Sequence, residues 1–256
     1  MSSFADHFSG HARDYSRHRP SYPASMIEEL VALAPSRDLA WDCATGNGQA
    51  AVLLAEQVTR VIATDASPQQ LAQARPHPRV DYRVARAEDS GLSSSSVDLI
   101  TVAAAAHWFD HARFHAEVDR VLVPGGVLAV WTYDPVHVSP DVDRVLRWFQ
   151  RERVVRYWPP QRAYVDALYT TLPFPYADLQ LGPFEIEATI DRDDWLGYVS
   201  TWSATARCRE AEGIDPLIEL ERAVAPLWPD AKERRRGVWP LAHRVGRKPA
   251  AHGRAH

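Results

Sequence analysis

The stretch Trp41-Asp42-Cys43-Ala44-Thr45-Gly46-Asn47-Gly48-Gln49 follows a short apolar run that begins at Leu39 and precedes a segment rich in alanine and leucine. Gly46 and Gly48 have no Cβ, so they permit a tight turn and let the backbone approach a ligand closely. A helix that begins at Gln49 would add unpaired N–H groups and a partial positive charge. The stretch therefore predicts a strand, a ligand-binding turn and a helix in succession.

Short apolar strands and helical stretches alternate on both sides of this turn. Such alternation is typical of βαβ units and a parallel sheet. Two later apolar runs extend the sheet, so we predict an α/β fold: a Rossmann-like, seven-stranded, mostly parallel sheet with helices on both faces. The predicted strands are Leu39–Ala44, Arg60–Thr64, Val80–Ala85, Val97–Ala103, Val127–Tyr133, Phe184–Ile190 and Val238–Val245.

The segments around the alternating region predict additions to this core. Apolar residues at helical spacing near the start predict an N-terminal helical lid over residues 1–35, and the core follows at 36–134. Dense Trp, Tyr and Pro predict a small helical cap insertion at 135–183. Residues 184–248 would complete the sheet, and 249–256 would be a flexible tail.

The composition excludes several classes of protein. With 256 residues, 46% hydrophobic and 24% charged, the chain is an ordinary globular protein. No apolar run reaches the roughly 18 to 20 residues of a membrane helix, and the first 20 residues are too polar for a secretory signal, so we expect a cytoplasmic protein. A net charge of −4 argues against nucleic acid as a partner. Two cysteines without a CxxC spacing predict no metal site, and monomer and homodimer remain open.

Acidic residues follow the second and third predicted strands. Asp65 ends the second strand next to the glycine turn, where it could bind the hydroxyls of a ribose or cap the next helix. Glu88 and Asp89 follow the third strand and could accept a hydrogen bond from an adenine amino group, or form a solvated loop. These positions predict a nucleoside-containing ligand.

Together these motifs resemble the class I S-adenosylmethionine-dependent methyltransferases, and within them the group that includes the trans-aconitate methyltransferase-like enzymes. In that family the first strand and turn have an acidic residue followed by three spaced glycines, and Ala44 replaces the first glycine here. The resemblance implies S-adenosylmethionine as the cofactor and S-adenosylhomocysteine as its product. The implied cofactor-binding residues of the core are Asp42, Ala44, Gly46, Asn47, Gly48, Gln49, Asp65, Ala66, Ala87, Glu88, Asp89 and Ala103.

Two further segments resemble this group: the leader Tyr15–Pro23 and the stretch Ala106–Asp110. The resemblance implies that both line the methyl-transfer site and that the leader folds over the cofactor. Tyr15 and Arg19 would then contact the methionine carboxylate, to which a planar guanidinium is well suited. The alternative is that the leader arginines are surface charges.

The sequence indicates the residues that bind the methyl acceptor less specifically than those that bind the cofactor. His107 lies at the end of the fourth strand and is the candidate catalytic residue, as a general base, a substrate hydrogen-bond donor or a structural residue. Tyr22, His107 and Trp108 are the candidate substrate-binding residues of a small-molecule methyltransferase. A carboxylate acceptor is ionised at neutral pH and needs no general base, whereas a phenol would benefit from one. The sequence has no obvious Asp–His pair or lysine near the site to act as a general base, which favours the carboxylate.

Two alternatives to a methyltransferase remain from the sequence. The spacing Gly46-x-Gly48-x-x-Ala51 also fits the dinucleotide fingerprint of an NAD-dependent Rossmann oxidoreductase. A non-catalytic S-adenosylmethionine-binding module would retain the same motifs and lack turnover.

Overall fold

The computed structural model describes residues 21–250. The predicted lid is therefore described only from Ser21 onward. The predicted cofactor contacts of Tyr15 and Arg19, and the tail beyond residue 250, lie outside the described residues.

One sheet of seven strands organises this part of the chain, in the order β3-β2-β1-β4-β5-β7-β6. The first five strands pair in parallel, and β7 pairs with β5 in the antiparallel direction. The strand order reverses beside β1, which is where open α/β sheets form a ligand-binding crevice. The predicted α/β sheet is confirmed. The strands are β1 Leu39–Cys43, β2 Arg60–Asp65, β3 Val80–Val84, β4 Val97–Ala103, β5 Leu122–Tyr133, β6 Phe184–Ile190 and β7 Arg235–Arg247.

Helices connect most of these strands. The helix His111–Val121 is an example: Asp110 accepts a hydrogen bond from the N–H of Arg113 at its N-terminus, and Phe114 and Val118 are buried one turn apart on its apolar face. The helices of the described residues are α1 Ala24–Leu33, α2 Gln49–Ala55, α3 Pro68–Leu71, α4 His111–Val121, α5 Pro140–Trp148, α6 Arg162–Asp166, α7 Arg192–Ser200, α8 Ser203–Glu212 and α9 Leu217–Val224.

Residues 22–133, 163–184 and 241–250 belong to one compact unit, which contains every described candidate site residue. Its core includes Trp41 and Phe114, which are almost completely buried in edge contact with each other. Each such side chain contributes about 1.5 to 3 kcal/mol through burial. The indole N–H of Trp41 donates to Oγ1 of Thr64 at 2.9 Å, so this buried polar atom is satisfied.

Residues 134–162 and 185–240 belong to a second compact unit. Arg153 is held there by the carboxylates of Glu212 and Glu219, at 2.6 and 2.9 Å. The hydroxyl of Tyr157 donates to the same Glu212, so the aromatic-rich segment is fixed partly by ion pairs. The segment bounds predicted from the sequence at 135 and 183 stay a prediction.

The sequence of this unit also suggests one helix over residues 191–207 and a solvated connector at 232–236, and the structure departs from each in part. The helical pattern from Asp191 to Arg207 is interrupted after Ser200, where the hydroxyl of Thr201 donates to the carbonyl of Tyr198. Such local side-chain bonds compete with helix continuation. The basic run at 232–236, expected to be a solvated connector, ends inside β7, where Arg236 pairs with Glu187 at 2.7 Å.

Candidate cofactor and substrate site

The carboxyl ends of the parallel strands carry the predicted site residues. Cys43 pairs with Thr64, Asp65 with Val84, and Ala103 with Trp131, so the first five strands end at the same edge of the sheet. The loops that leave this edge contain the four predicted groups of residues, 44–49, 65–66, 87–89 and 103–108.

The turn after β1 needs glycine at position 48. Gly48 has a left-handed backbone with φ of 82° and precedes the first turn of α2. A Cβ there would lie 2.2 Å from the hydroxyl oxygen of Tyr82. That hydroxyl donates to the carbonyl of Arg75 at 2.7 Å, so Tyr82 is held against the turn. The turn is therefore packed from the side of β3, a contact that the sequence did not indicate.

Ala44 has a positive φ of 54°, which a residue with a Cβ adopts at a cost of about 1 to 2 kcal/mol. We expect Ala44→Gly to stabilise the protein by up to about 1 kcal/mol, because the relief of strain exceeds the roughly 0.4 to 1 kcal/mol lost to a freer unfolded chain. Urea unfolding measures the change. Ala72→Gly, at a position with an ordinary φ of −63°, should instead destabilise the protein. Equal destabilisation by both substitutions would contradict the strain at position 44.

Asp42 lies beneath the turn and is completely buried. Its two carboxylate oxygens accept hydrogen bonds from the hydroxyls of Thr45 and, at 2.7 Å, Thr101. Burial raises the pKa of Asp42 to about 6, while the hydrogen bonds from Thr45, Thr101 and the backbone of Ala51 oppose this increase. Asp42 therefore connects the turn to β4.

This raised pKa predicts a pH-dependent stability. The folded protein keeps the Asp42 proton up to a pH of about 6, whereas the unfolded chain releases it near pH 4, so the stabilisation is present below pH 4 and is lost as the pH rises through 6. The loss amounts to about 3 kcal/mol. We expect Asp42→Asn to remove this dependence in urea unfolding between pH 4 and 7. The surface variant Asp141→Asn should retain it, and a wild-type pH profile in Asp42→Asn would contradict the assignment.

Asp65 joins the turn to the end of β2. Its Oδ2 accepts the N–H of Gly46 at 2.8 Å, and its Oδ1 accepts the N–H of Ser67 at the same distance. These two contacts orient the carboxylate between the turn and the start of α3. Asp65 is not the N-cap of the next helix, because the hydroxyl of Ser67 caps α3. Ala66 lies half-buried beside Asp65.

Within residues 21–250, two buried side-chain donors of the turn have no hydrogen-bond partner: Nδ2 of Asn47 and Nε2 of Gln49. Both residues are more than nine-tenths buried. An unpaired buried donor costs about 1 to 3 kcal/mol, so such atoms are found where a bound molecule or water supplies the acceptor. The turn therefore fits a ligand with polar acceptor atoms, as a nucleoside with an amino-acid tail has.

The loop after β3 is held by a carboxylate from α4. The N–H and hydroxyl of Ser90 both donate to Glu117, which is buried and also paired with Arg120. The Arg120 guanidinium, with Ser90, lowers the pKa of Glu117 to about 2. On the loop itself Ala87 is buried, Glu88 accepts the N–H of Asp110 at 3.1 Å, and Asp89 is exposed. Glu117 was not found from the sequence, where it looks like an ordinary helix surface residue.

His107 lies in a single 3₁₀ turn after β4, at Ala106–Trp108. Its Nδ1 is 2.9 Å from the hydroxyl of Tyr169, and its ring is tilted against Trp108 at 4.8 Å between centroids. Tyr22 contacts Trp131 on β5 edge to face at 5.3 Å. Tyr169 is fully buried, and the sequence assigned it to the cap as one aromatic among many. No motif in the sequence indicates that Tyr169 lies beside His107.

The described part of the chain contains no cluster of three or more His, Cys, Asp or Glu side chains that could hold a metal ion. Within residues 21–250, no helix is both long and apolar enough to cross a membrane.

A parallel sheet with a glycine turn after β1, an acidic residue at the end of β2 and a reversed strand order defines the nucleotide-binding α/β enzymes. Comparison with known proteins narrows this class. The family profile described as "Methyltransferase domain" matches residues 41–130. A Dictyostelium discoideum protein provisionally named a methyltransferase is 32% identical over 86% of this chain and 86% of its own length.

Two further relatives agree. An uncharacterized methyltransferase from Mycobacterium tuberculosis is 33% identical over 82% of this chain and 85% of its own. The solved structure of a provisionally named type II methyltransferase from Anaeromyxobacter dehalogenans is 45% identical, covers 90% of this chain and 99% of its own, and superposes with a TM-score of 0.84. The chain belongs to the class I S-adenosylmethionine-dependent methyltransferases. These relatives give no support to the NAD-dependent oxidoreductase or to the non-catalytic module.

Proposed function

We propose that this enzyme methylates a small molecule and that the acceptor atom is a carboxylate oxygen. The observation that supports the proposal is the hydrogen bond between Nδ1 of His107 and the hydroxyl of Tyr169, a completely buried group that stays neutral. A carboxylate partner would stabilise a protonated imidazole and make His107 a stronger base. An acceptor that is already ionised at neutral pH requires no such base.

The turn and its neighbours would hold the cofactor. Asp65, which its contacts hold at the end of β2, would accept from the ribose hydroxyls, and the donors of Asn47 and Gln49 would suit carboxylate or hydroxyl oxygens. Glu88 or Asp89 would accept from the adenine amino group. When bound, S-adenosylmethionine supplies a methyl group that is activated by its sulfonium sulfur.

The remaining predicted contacts belong to the same proposal. Gly46 and Gly48 let the backbone approach the cofactor, and Ala44, Ala66, Ala87 and Ala103 would contact it through backbone or apolar surface. Tyr15 and Arg19 on the leader are proposed from the sequence resemblance alone. The protein contributes by holding the acceptor in line with the methyl carbon, which can be worth up to about 7 to 11 kcal/mol.

Tyr22, His107 and Trp108 would bind the substrate at the ends of β4 and β5. Trp108 presents an aromatic surface beside the His107 ring, which suits the apolar part of a small acid. The imidazole would bind an acceptor oxygen.

Release of S-adenosylhomocysteine with matched sets of acceptors tests this function. The three members of each set share one carbon skeleton, which bears a carboxylate, a phenol or an amine. We expect turnover with carboxylates at neutral pH, and little dependence of kcat on pH between 6 and 9, because the acceptor stays ionised. Turnover confined to phenols or amines, with a rate that follows deprotonation of a base, would contradict the carboxylate proposal.

A further inference from the structure

The loop that joins β3 to β4 is hydrogen-bonded to a single helix, α4, at several points. The carboxylate of Glu88 accepts the N–H of Asp110, at the N-terminus of α4, at 3.1 Å. Farther along the loop, the N–H groups of Ser95 and Ser96 donate to carbonyls in the last turn of α4 at 2.9 and 2.8 Å. The helix therefore holds this loop near both of its ends.

Glu117, in the middle of α4, holds the centre of the loop. Its Oε1 accepts both the N–H of Ser90, at 2.8 Å, and the Ser90 hydroxyl. The guanidinium of Arg120 donates to both oxygens of the same carboxylate at 2.7 Å, which fixes the orientation of the carboxylate. Glu117 and Ser90 are both buried, so removal of the carboxylate would leave two buried donors without their acceptor.

The contacts of Asp110 and Glu117 lie on either side of the acidic pair, Glu88 and Asp89, which is the predicted acceptor of the adenine amino group. Asp110 and Glu117 are seven residues apart, which is about two helical turns, so they lie on the same face of α4 and about 10 Å apart along its axis. The first contact holds Glu88, and the second holds Ser90, the residue after Asp89. A carboxylate that is fixed before a ligand arrives loses less conformational entropy on binding than one on a free loop.

We propose that Glu117 is a positioning residue that holds the acidic pair in place to recognise the amino group of the cofactor's adenine. Glu117 acts through Ser90, whose backbone and hydroxyl it binds. This inference rests on the proposed placement of adenine beside the loop, and it is independent of the methyl acceptor. It gives α4 a part in cofactor specificity, because a base without the amino group should gain no affinity from Glu117.

Titration calorimetry with two ligands tests this role. One ligand is S-adenosylhomocysteine, and the other is its analogue in which hydrogen replaces the adenine amino group. The wild-type protein should bind S-adenosylhomocysteine roughly ten- to hundredfold more tightly than the analogue, as expected for a hydrogen bond to a charged group. In Glu117→Ala this ratio of affinities should fall towards unity, because the acidic pair is no longer held, while the affinity for the analogue changes little.

Two further variants separate positioning from a general loss of stability. Glu117→Gln keeps an oxygen that can accept from Ser90, so it should restore most of the ratio. Asp178→Ala removes a carboxylate that pairs with Arg244 at 2.8 Å in the same compact unit. This control should lower the melting temperature and keep the wild-type ratio.

An unchanged ratio in Glu117→Ala, even with weaker binding of both ligands, would overturn the proposal and leave Glu117 a purely structural role. If Glu117→Ala does not fold, Ser90→Ala decides the question, because it removes one of the two donors to Glu117 and must still lower the ratio. A wild-type protein that does not distinguish the two ligands would also overturn the proposal, by showing that adenine lies elsewhere. These titrations contain no methyl acceptor, so their result is separate from that of the acceptor screen.

Discussion

Gly48→Ala is expected to destabilise the protein by about 2 to 3 kcal/mol and to abolish measurable cofactor binding. The left-handed backbone costs a residue with a Cβ about 1 to 2 kcal/mol. The new methyl group would also displace the ring of Tyr82 and break its hydrogen bond to the carbonyl of Arg75, which is worth roughly 1 kcal/mol. The melting temperature should fall by about 4 to 12 °C. Titration calorimetry with S-adenosylhomocysteine measures the loss of binding.

Gly125→Ala is the matched control for this variant. Gly125 also has a φ of 82°, but a Cβ there would meet no atom within 4 Å. It should therefore show the backbone strain alone and retain cofactor binding. If the two alanine variants lost equal stability and both bound S-adenosylhomocysteine normally, the packing of Tyr82 against the turn would have no energetic consequence.

Asp65→Ala should weaken the binding of S-adenosylhomocysteine by about 1.5 to 3 kcal/mol, the value of hydrogen bonds to a charged group. This corresponds to a roughly ten- to hundredfold larger dissociation constant. The structure adds a second effect, because the N–H groups of Gly46 and Ser67 lose their acceptor. We therefore expect a lower melting temperature as well, and titration calorimetry together with thermal unfolding measures both changes.

Two further variants separate these effects. Asp65→Asn keeps one acceptor oxygen, so it should lose affinity while retaining more stability than the alanine variant. Asp81→Ala removes a carboxylate on β3 that pairs with Arg60 and Arg83 and should leave cofactor affinity unchanged. Wild-type affinity in Asp65→Ala would show that the ribose site lies elsewhere.

The sequence predicted the parallel part of the sheet well because each strand there is a short apolar run bounded by polar turn residues. It also located the turn at 44–49, since glycine spacing reports backbone conformation directly. The break of the helix after Ser200 and the start of β7 at Arg235 were not predicted. Both depend on individual side-chain contacts, such as Arg236 with Glu187, that periodicity does not record.

The candidate site, too, was predicted only in part. Asp42 and Asp65 were identified from local motifs. The sequence did not show that Asp42 is completely buried whereas Asp65 binds the turn at the end of β2. Tyr82, Glu117 and Tyr169 contact the site from distant positions in the chain, without a motif around them. Tyr169 in particular depends on a left-handed backbone that no residue type at 168 or 169 announces.

The position of β7 has a consequence for how the chain is made. β7 pairs antiparallel with β5 along residues 127–133, yet the ribosome delivers it after every other strand of the sheet. Until then the hydrogen-bonding groups along that side of β5 remain an open edge, which is a template for pairing with other chains. Nascent chains in which β7 has not yet paired are therefore expected to be more prone to aggregate than chains with the complete sheet, and slower synthesis of β7 would lengthen this stage.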